Sequence, residues 1–281
     1  MKNNLYIFGC SFAWSPDDSR VWPRQLAKHF NLELVNTGFP GQGILQHFKN
    51  WKDLEKDMKP GDMSIVVLSS PDRTYFFPDA PYFSQFAHAE APNILDNTDD
   101  ITANKIKKSK SAYIDYFTYL HNEDHFLWFL ECWLRWLDVK SKELGTKTII
   151  IPAFNELFPA LQGNFDNLLI FKKALMEVCQ EEYANKKFKK VFNGAMDLRA
   201  NHLCFDNHNV LISKIIDGVN SGILEDTENG WSKHIICDSN ISDKDWIDEQ
   251  LCFKKFDEKF FYKENMFNKI VDHLVRGDYE N

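Results

Sequence analysis

Short apolar runs alternate with amphipathic helical patterns, and this alternation constrains the fold more than any other feature of the sequence. Residues 5–8, 32–35 and 64–68 are such runs, and each is followed by a turn or loop. Runs of this length are typical of strands that helices cover on both faces. Strand, helix, strand, helix, strand at this spacing predicts a parallel sheet with helices on either side.

The same pattern returns in the second half of the chain. Residues 148–152 form a fourth apolar run, and residues 190–192 are predicted to be a short fifth strand. Residues 165–179 are predicted to be helical, and residues 211–219 to form a helix that closes the sheet. We therefore predict a three-layer α/β/α fold with a central, mostly parallel, five-stranded sheet.

The alternation divides the chain into regions. We predict an α/β domain over residues 1–222, within which residues 73–124 lack a regular pattern and are expected to be a lid or an insertion. Residues 223–281 lie outside the alternation and are predicted to be a C-terminal helical extension. Contacts between copies of the chain through this extension are a further hypothesis.

Composition excludes several classes of function. Lys and Arg total 33 against 41 Asp and Glu, a net charge of -8, so a nucleic-acid partner is not expected. No apolar run reaches the roughly 18 residues of a membrane span, and the start of the chain does not resemble a secretory signal. The six cysteines form no CxxC pair, which predicts reduced thiols and a cytoplasmic protein.

Candidate catalytic residues follow the predicted strands, where sites form in open parallel sheets. Ser11 comes directly after the first strand, and a loop with three glycines, including Gly41, comes after the second. A serine at such a turn can attack a carbonyl group, while its own amide and that of Gly41 hold the oxyanion. His202, far along the chain, can act as the base.

These residues also carry a family resemblance. Gly9-Cys10-Ser11-Phe12 resembles the Gly-Asp-Ser-Leu block of the SGNH (GDSL-type) hydrolase superfamily, and its Cys-containing form is similar to phage and bacterial members. Further similar segments are Trp22-Pro23 with Leu26, the loop from Asn36 to Gly41, and Asn201-His202-Leu203. The resemblance spans roughly residues 4–220. It implies a flavodoxin-like fold and a serine hydrolase that needs no cofactor and no metal.

Two departures from the family pattern affect the predicted site. The third block, Gly-x-Asn-Asp, aligns with Ser69-Ser70-Pro71-Asp72, so its oxyanion-binding Asn is missing and Ser70 is assigned in its place. Ser69 and Arg73 are alternatives. The last block, Asp-x-x-His, has Arg199 at the acid position. Asp197 is assigned to orient His202, with Asp206 or a backbone carbonyl as alternatives.

Other assignments also have alternatives. Cys10 competes with Ser11 as nucleophile, and His208 competes with His202 as base. Arg73 is assigned to substrate binding through a carboxylate, although an ion pair with Asp72 is the competing role. Asn36 is also assigned to substrate binding. His121 and His125 have metal-binding spacing, but Asn122 replaces the Glu of the usual zinc motif, so no metal is predicted.

The combined prediction is a serine esterase or acyl hydrolase with a Ser11–His202–Asp197 site. Its substrate would be a small-molecule or glycan ester, with O-acetyl groups as one candidate. The alternative is a catalytically degenerate relative that binds a ligand or partner, such as a phage protein inside its host.

Overall fold

The computed structural model describes residues 2–15, 19, 21–39, 42–71, 73, 115–182, 202–224 and 226–232. These residues contain a five-stranded sheet in which every pairing is parallel, in the order β2-β1-β3-β4-β5. The strands are β1 (Asn4–Gly9), β2 (Glu33–Asn36), β3 (Met63–Leu68), β4 (Lys147–Pro152) and β5 (Leu168–Ile170). This strand order is that of flavodoxin-like folds. The predicted α/β fold with a parallel five-stranded sheet is confirmed.

Four helices of the described part connect these strands, and two more follow β5. They are α1 (Trp22–His29), α2 (Ile44–Leu54), α3 (Glu123–Leu144), α4 (Phe158–Leu161), α5 (Leu175–Glu182) and α6 (Phe205–Ser221). The longest, α3, begins where the Asn122 side chain accepts a hydrogen bond from the His125 amide at 2.9 Å. It ends at Gly145, whose φ of +64° suits glycine.

Two apolar clusters cover the two faces of the sheet, as the period-two alternation of a strand requires. Leu5 and Ile7 face a cluster that includes residues of α1, α5 and α6. Tyr6 and Phe8 face the other cluster, which includes residues of α2, α3 and α4. The sheet is therefore the middle of three layers, with its core on both sides.

Parts of the second half differ from the prediction. The helix predicted over residues 165–179 is wrong in its first part, because Leu168–Ile170 is strand β5 and helix α5 begins only at Leu175. The strand predicted at residues 190–192 lies outside the described residues. Trp128 shares a helical segment of the sequence with Trp133 and Trp136, a pattern typical of core residues, but it is 61% exposed.

Segments beyond α6 bear on the predicted division into domains. Leu224 and Trp231 are buried against the same core as α1 and α6. The Asn207 side chain exchanges two hydrogen bonds with the Ser232 backbone, at 2.7 and 3.0 Å. The domain boundary after residue 222 stays a prediction, and residues 233–281 lie outside the described part. Within the described part, no helix is both long and apolar enough to cross a membrane.

Candidate active site

Ser11 lies in a tight turn directly after β1. The turn starts at Gly9, whose φ is +155° and whose added Cβ would stand 2.7 Å from the Cβ of Ala13. Ser11–Ala13 forms a 3-10 turn closed by a 2.9 Å hydrogen bond from the Ala13 amide to the Cys10 carbonyl. Glycine permits this conformation and close approach, which other residues would strain. β1 therefore ends at this turn, and Ser11 lies at the edge of the sheet.

Burial separates Ser11 from its neighbour Cys10. Cys10 is a free thiol that is 0% exposed and packs in the core, whereas Ser11 is only half-buried. A fully buried thiol is inaccessible to a substrate. The packing therefore disfavours Cys10 as the nucleophile.

The loop after β2 holds the serine turn in place. The Asn36 side chain donates to the Ala13 carbonyl at 2.8 Å and accepts from the Gly38 amide at 2.6 Å. The Phe39 amide donates to the Gly9 carbonyl at 3.0 Å. Asn36, assigned to substrate binding from the sequence, thus has both ends of its amide bonded to backbone and positions the turn. Gly41 lies outside the described residues. We call Ser11–Ala13 together with Asn36–Phe39 the serine corner.

His202 lies beside the serine corner. Its ring centroid is 4.8 Å from that of Phe12, the residue after Ser11. The Phe12 carbonyl in turn accepts a 2.9 Å hydrogen bond from the Trp22 indole. His202 is half-buried and has a left-handed φ of +58°, a conformation that costs free energy in a residue other than glycine. The structure thus brings the predicted base and the serine turn to the same edge, while Asp197 lies outside the described residues.

His208, the alternative base, has a structural contact. It is 0% exposed, and its Nδ1 accepts a hydrogen bond from the Trp22 amide at 3.3 Å. This amide belongs to the first turn of α1, where backbone donors have no partner within the helix. His208 therefore links the start of α6 to the start of α1, and its burial separates it from a substrate.

The pairing of the strands places the loop after β3 at the same edge of the sheet. Gly9 pairs with Val67 in the sheet, so Ser11 and Ser69 both stand two residues beyond a paired position. Leu68 pairs with Pro152, which gives Ser70 and Phe154 the corresponding position one strand further along. Ser70, the assigned oxyanion donor, is 7% exposed. The ends of β1, β3 and β4 therefore contribute side chains to one region.

Arg73 is held within this region by uncharged groups. Its Nη1 donates to Ser69 Oγ at 3.0 Å, and its guanidinium carbon lies 5.7 Å from the ring centroid of Phe154. The Phe154 ring contacts Phe12 edge to face, with centroids 6.5 Å apart. The rings of His202, Phe12 and Phe154 therefore contact one another in turn, and the Arg73 guanidinium lies beside the last ring. We call these three rings the aromatic row.

His47 is a residue of this region that sequence reasoning missed. It is 0% exposed, and neither ring nitrogen has a partner at standard hydrogen-bond geometry, although the Gln42 backbone lies close enough to interact with the ring. Burial, and secondarily the positive charge of Arg73, lowers the pKa of His47 to about 3, while the Gln42 backbone acts in the opposite direction. The imidazole is therefore neutral near pH 7. Its sequence signal was a histidine on the apolar face of α2, between Ile44 and Phe48.

The start of α2 adds to the positive potential beside Arg73. Gly43 is the N-cap of α2, and an added Cβ there would stand 2.3 Å from the Arg73 carbonyl oxygen. The first turn of α2 carries no acidic residue and no side-chain cap. The positive end of the helix dipole is therefore not offset by a carboxylate on that turn. We call His47, Ser69, Arg73 and Phe154 the arginine corner.

His121 and His125 have metal-binding spacing in the sequence but do not form a pair on one helix. Asn122, between His121 and His125, caps α3, so His121 precedes the helix and the two histidines do not share a helical face. Among the residues that the structure describes, no group of three or more His, Cys, Asp or Glu side chains is arranged to hold a metal ion.

No protein-family model matches the chain, and no curated protein sequence matches it. Comparison with solved structures finds a protein from Desulfitobacterium hafniense DCB-2, described as a candidate lipolytic protein of the G-D-S-L family. The alignment has a TM-score of 0.32 and 12% sequence identity, and it covers 77% of this chain and 99% of that one. A likeness at this level adds nothing to what the topology of the sheet already shows.

Proposed function

We propose that the protein is a serine esterase or acyl hydrolase whose nucleophile is Ser11 and whose general base is His202. The observation that supports this most directly is the packing of the His202 ring against Phe12, at a centroid distance of 4.8 Å. It brings an imidazole beside the turn that carries Ser11, although 190 positions separate them in the sequence. A base within reach of the serine hydroxyl is the requirement of acyl transfer through a serine.

The reaction would proceed in two steps. Ser11 Oγ forms a bond to the ester carbonyl carbon as His202 takes its proton. The ester C–O bond then breaks, and the leaving alcohol receives that proton. Water, activated by the same imidazole, hydrolyses the acyl-enzyme and releases the acid. The amides of Ser11 and Gly41 and the hydroxyl of Ser70 are proposed to hold the oxyanion, and Asp197 to orient the imidazole.

Hydrolysis of p-nitrophenyl acetate, a model for O-acetyl esters, tests this proposal. Ser11→Ala should lower kcat/KM by about 10³-fold or more, because the proposed acyl-enzyme forms on the Ser11 hydroxyl. His202→Asn should have a comparable effect, since Asn tolerates the left-handed φ of this position while lacking the base. Ser19→Ala, at an exposed serine, is the matched control. Equal rates for wild type and Ser11→Ala would reject the proposal.

A second candidate function is ligand binding without turnover. It is favoured by the hydrogen bond from Arg73 to Ser69 Oγ, which engages one of the hydroxyls that could replace the missing oxyanion Asn. A lost oxyanion donor lowers rates by about 10²–10³. A fluorophosphonate probe distinguishes the two functions. Labelling of folded wild type but not of Ser11→Ala supports the hydrolase, and no labelling supports the binding protein.

A further inference from the structure

Arg73, in the arginine corner, has no carboxylate partner among the residues that the structure describes. Arg73 is half-buried, and its contacts are the Ser69 hydroxyl and the Phe154 ring. No carboxylate among the described residues forms an ion pair with it. A guanidinium has five N–H donors, and the hydrogen bond to Ser69 uses one. The remaining donors are the kind that bind a carboxylate in a planar, bidentate arrangement.

Among the residues that the structure describes, the groups around Arg73 are neutral or positive. Ser69 and the Phe154 ring carry no charge, and the adjoining first turn of α2 presents the positive end of the helix dipole. His47 is fully buried and has no hydrogen-bond partner for either ring nitrogen, so it adds an unsatisfied polar group to the same corner. Buried polar atoms are normally paired, and exceptions concentrate where a ligand or an ion binds. Within the described part of the chain, this corner therefore supplies no negative charge to Arg73.

The aromatic row connects this cation to the proposed nucleophile. Phe12 follows Ser11 directly, the Phe12 and Phe154 rings are 6.5 Å apart, and the Arg73 guanidinium lies 5.7 Å from the Phe154 ring. Phe12 is buried, but Ser11 and Ser69 stand at equivalent positions beyond neighbouring strands, and Arg73 donates to Ser69. A substrate whose ester group lies at Ser11 can therefore extend over the half-buried Phe154 ring towards Arg73. An apolar path that ends in a cation suits a chain with a terminal negative charge.

We infer that the substrate of the Ser11 site is an ester that carries a carboxylate, bound by Arg73 at the far end of the aromatic row from His202. A carboxylate matches the single charge of Arg73, whereas a phosphate dianion is usually held by more than one cation. This inference rests on the proposed esterase function for its reaction, but it adds a chemical class of substrate that the proposed function does not specify.

Matched pairs of esters test the inference. The mono-p-nitrophenyl esters of glutaric, adipic and suberic acid carry a terminal carboxylate at increasing distance, and their methyl esters are neutral partners of nearly the same shape. In the wild type, kcat/KM should favour the anionic member of the best-fitting pair by about 10- to 100-fold, the usual contribution of a hydrogen-bonded charge. Arg73→Gln should reduce this ratio to near one, and the readout is the ratio within each variant, not the absolute rate with either ester.

Further variants separate loss of the charge from loss of the fold. Arg73→Lys keeps the charge without the planar fork and should retain part of the preference. Arg135→Gln is the matched control, because Arg135 also lies over a phenylalanine ring, Phe165, at 5.8 Å, but on the outer face of α3. Its ratio should equal that of the wild type. A ratio near one in the wild type, or a ratio unchanged in folded Arg73→Gln, would overturn the inference while the esterase function stands.

A binding measurement distinguishes failure of the inference from failure of the esterase function. Ser11→Ala is titrated by calorimetry with monomethyl adipate and with dimethyl adipate, and the double variant Ser11→Ala/Arg73→Gln is the reference. Arg73-dependent binding of the anion alone supports the carboxylate site even if no ester is hydrolysed by the wild type. Equal binding of the anion to both variants, or no binding to either, counts against the site whatever the esterase assays give.

Discussion

The serine corner and the arginine corner lie at the same edge of the sheet but are stabilised in opposite ways. In the serine corner, Asn36 and the backbone of Gly9, Ala13 and Phe39 meet each other through direct hydrogen bonds. In the arginine corner, His47 has no hydrogen-bond partner and Arg73 has no described carboxylate. Satisfied polar groups fix a geometry, whereas unsatisfied ones lower stability until a ligand pairs with them.

This difference suggests that one corner positions the nucleophile and the other binds the substrate. A nucleophile must be held to a fraction of an ångström, so a turn with no conformational freedom suits it. A binding group is more useful when it has donors available for a substrate. We expect substitutions in the serine corner to lower stability and activity together, and substitutions in the arginine corner to alter selectivity or to raise stability.

The largest effect is expected from Gly9→Ala, at the end of β1 directly before the serine corner. The new Cβ would stand 2.7 Å from the Ala13 Cβ and 2.8 Å from the Val67 Cβ, at a φ of +155°. Overpacking and backbone strain should together lower the free energy of unfolding by about 3–5 kcal/mol, as measured by urea denaturation. Gly222→Ala is the matched control. Its φ is +77° but nothing lies within 4 Å of the added Cβ, so a loss of only about 1 kcal/mol is expected. Equal losses would mean that the close contacts of Gly9 do not matter.

The sequence predicted the sheet well where burial alone determines a strand. β1, β3 and β4 contain the apolar runs at residues 5–8, 64–68 and 148–152. β5 was missed because Leu168–Ile170 is only three residues long and lies among apolar residues whose spacing suits a helix equally well. Three residues are too few for the spacing of apolar residues to distinguish a strand from a helix.

The candidate site was predictable to the extent that its residues are local to strand ends. Ser11 follows an apolar run directly, so its place at the sheet edge could be inferred from sequence. The role of Asn36 could not, because its partner Ala13 is 23 positions away and its amide is saturated only in three dimensions. His47 was missed because a histidine on an apolar face has the same sequence pattern whether or not its nitrogens are paired.

Asn36→Ala should have the next largest effect. It removes two hydrogen bonds at once and leaves the Ala13 carbonyl and the Gly38 amide without these partners, which should cost about 2–3 kcal/mol. Esterase kcat should fall in parallel, because the turn that carries Ser11 loses its support. Asn36→Asp keeps the acceptor for the Gly38 amide, but it places a carboxylate oxygen against the Ala13 carbonyl oxygen. It should therefore restore neither the stability nor the esterase kcat. Full esterase activity in folded Asn36→Ala would contradict the positioning role.

The smallest effect, and the one of opposite sign, is expected from His47→Leu in the arginine corner. Removing an unpaired buried imidazole should raise the free energy of unfolding at pH 7 by about 1 kcal/mol. The pH dependence gives a sharper test. The pKa of His47 is lowered to about 3 in the folded protein, against an ordinary value of 6.5, so below pH 6.5 the unfolded chain binds a proton that the folded protein does not.

The contribution of His47 to the free energy of unfolding should therefore fall as the pH decreases from 6.5 towards 3. Between pH 7 and pH 5 the fall should be about 2 kcal/mol. In His47→Leu this part of the decline should be absent, which urea denaturation at the two pH values can measure. His29→Gln, at an exposed histidine of α1, should retain the wild-type decline. If His47→Leu lost stability between pH 7 and pH 5 as steeply as the wild type, the imidazole would have to be paired or solvated in solution. The contrast between the two corners would then reduce to the charge of Arg73.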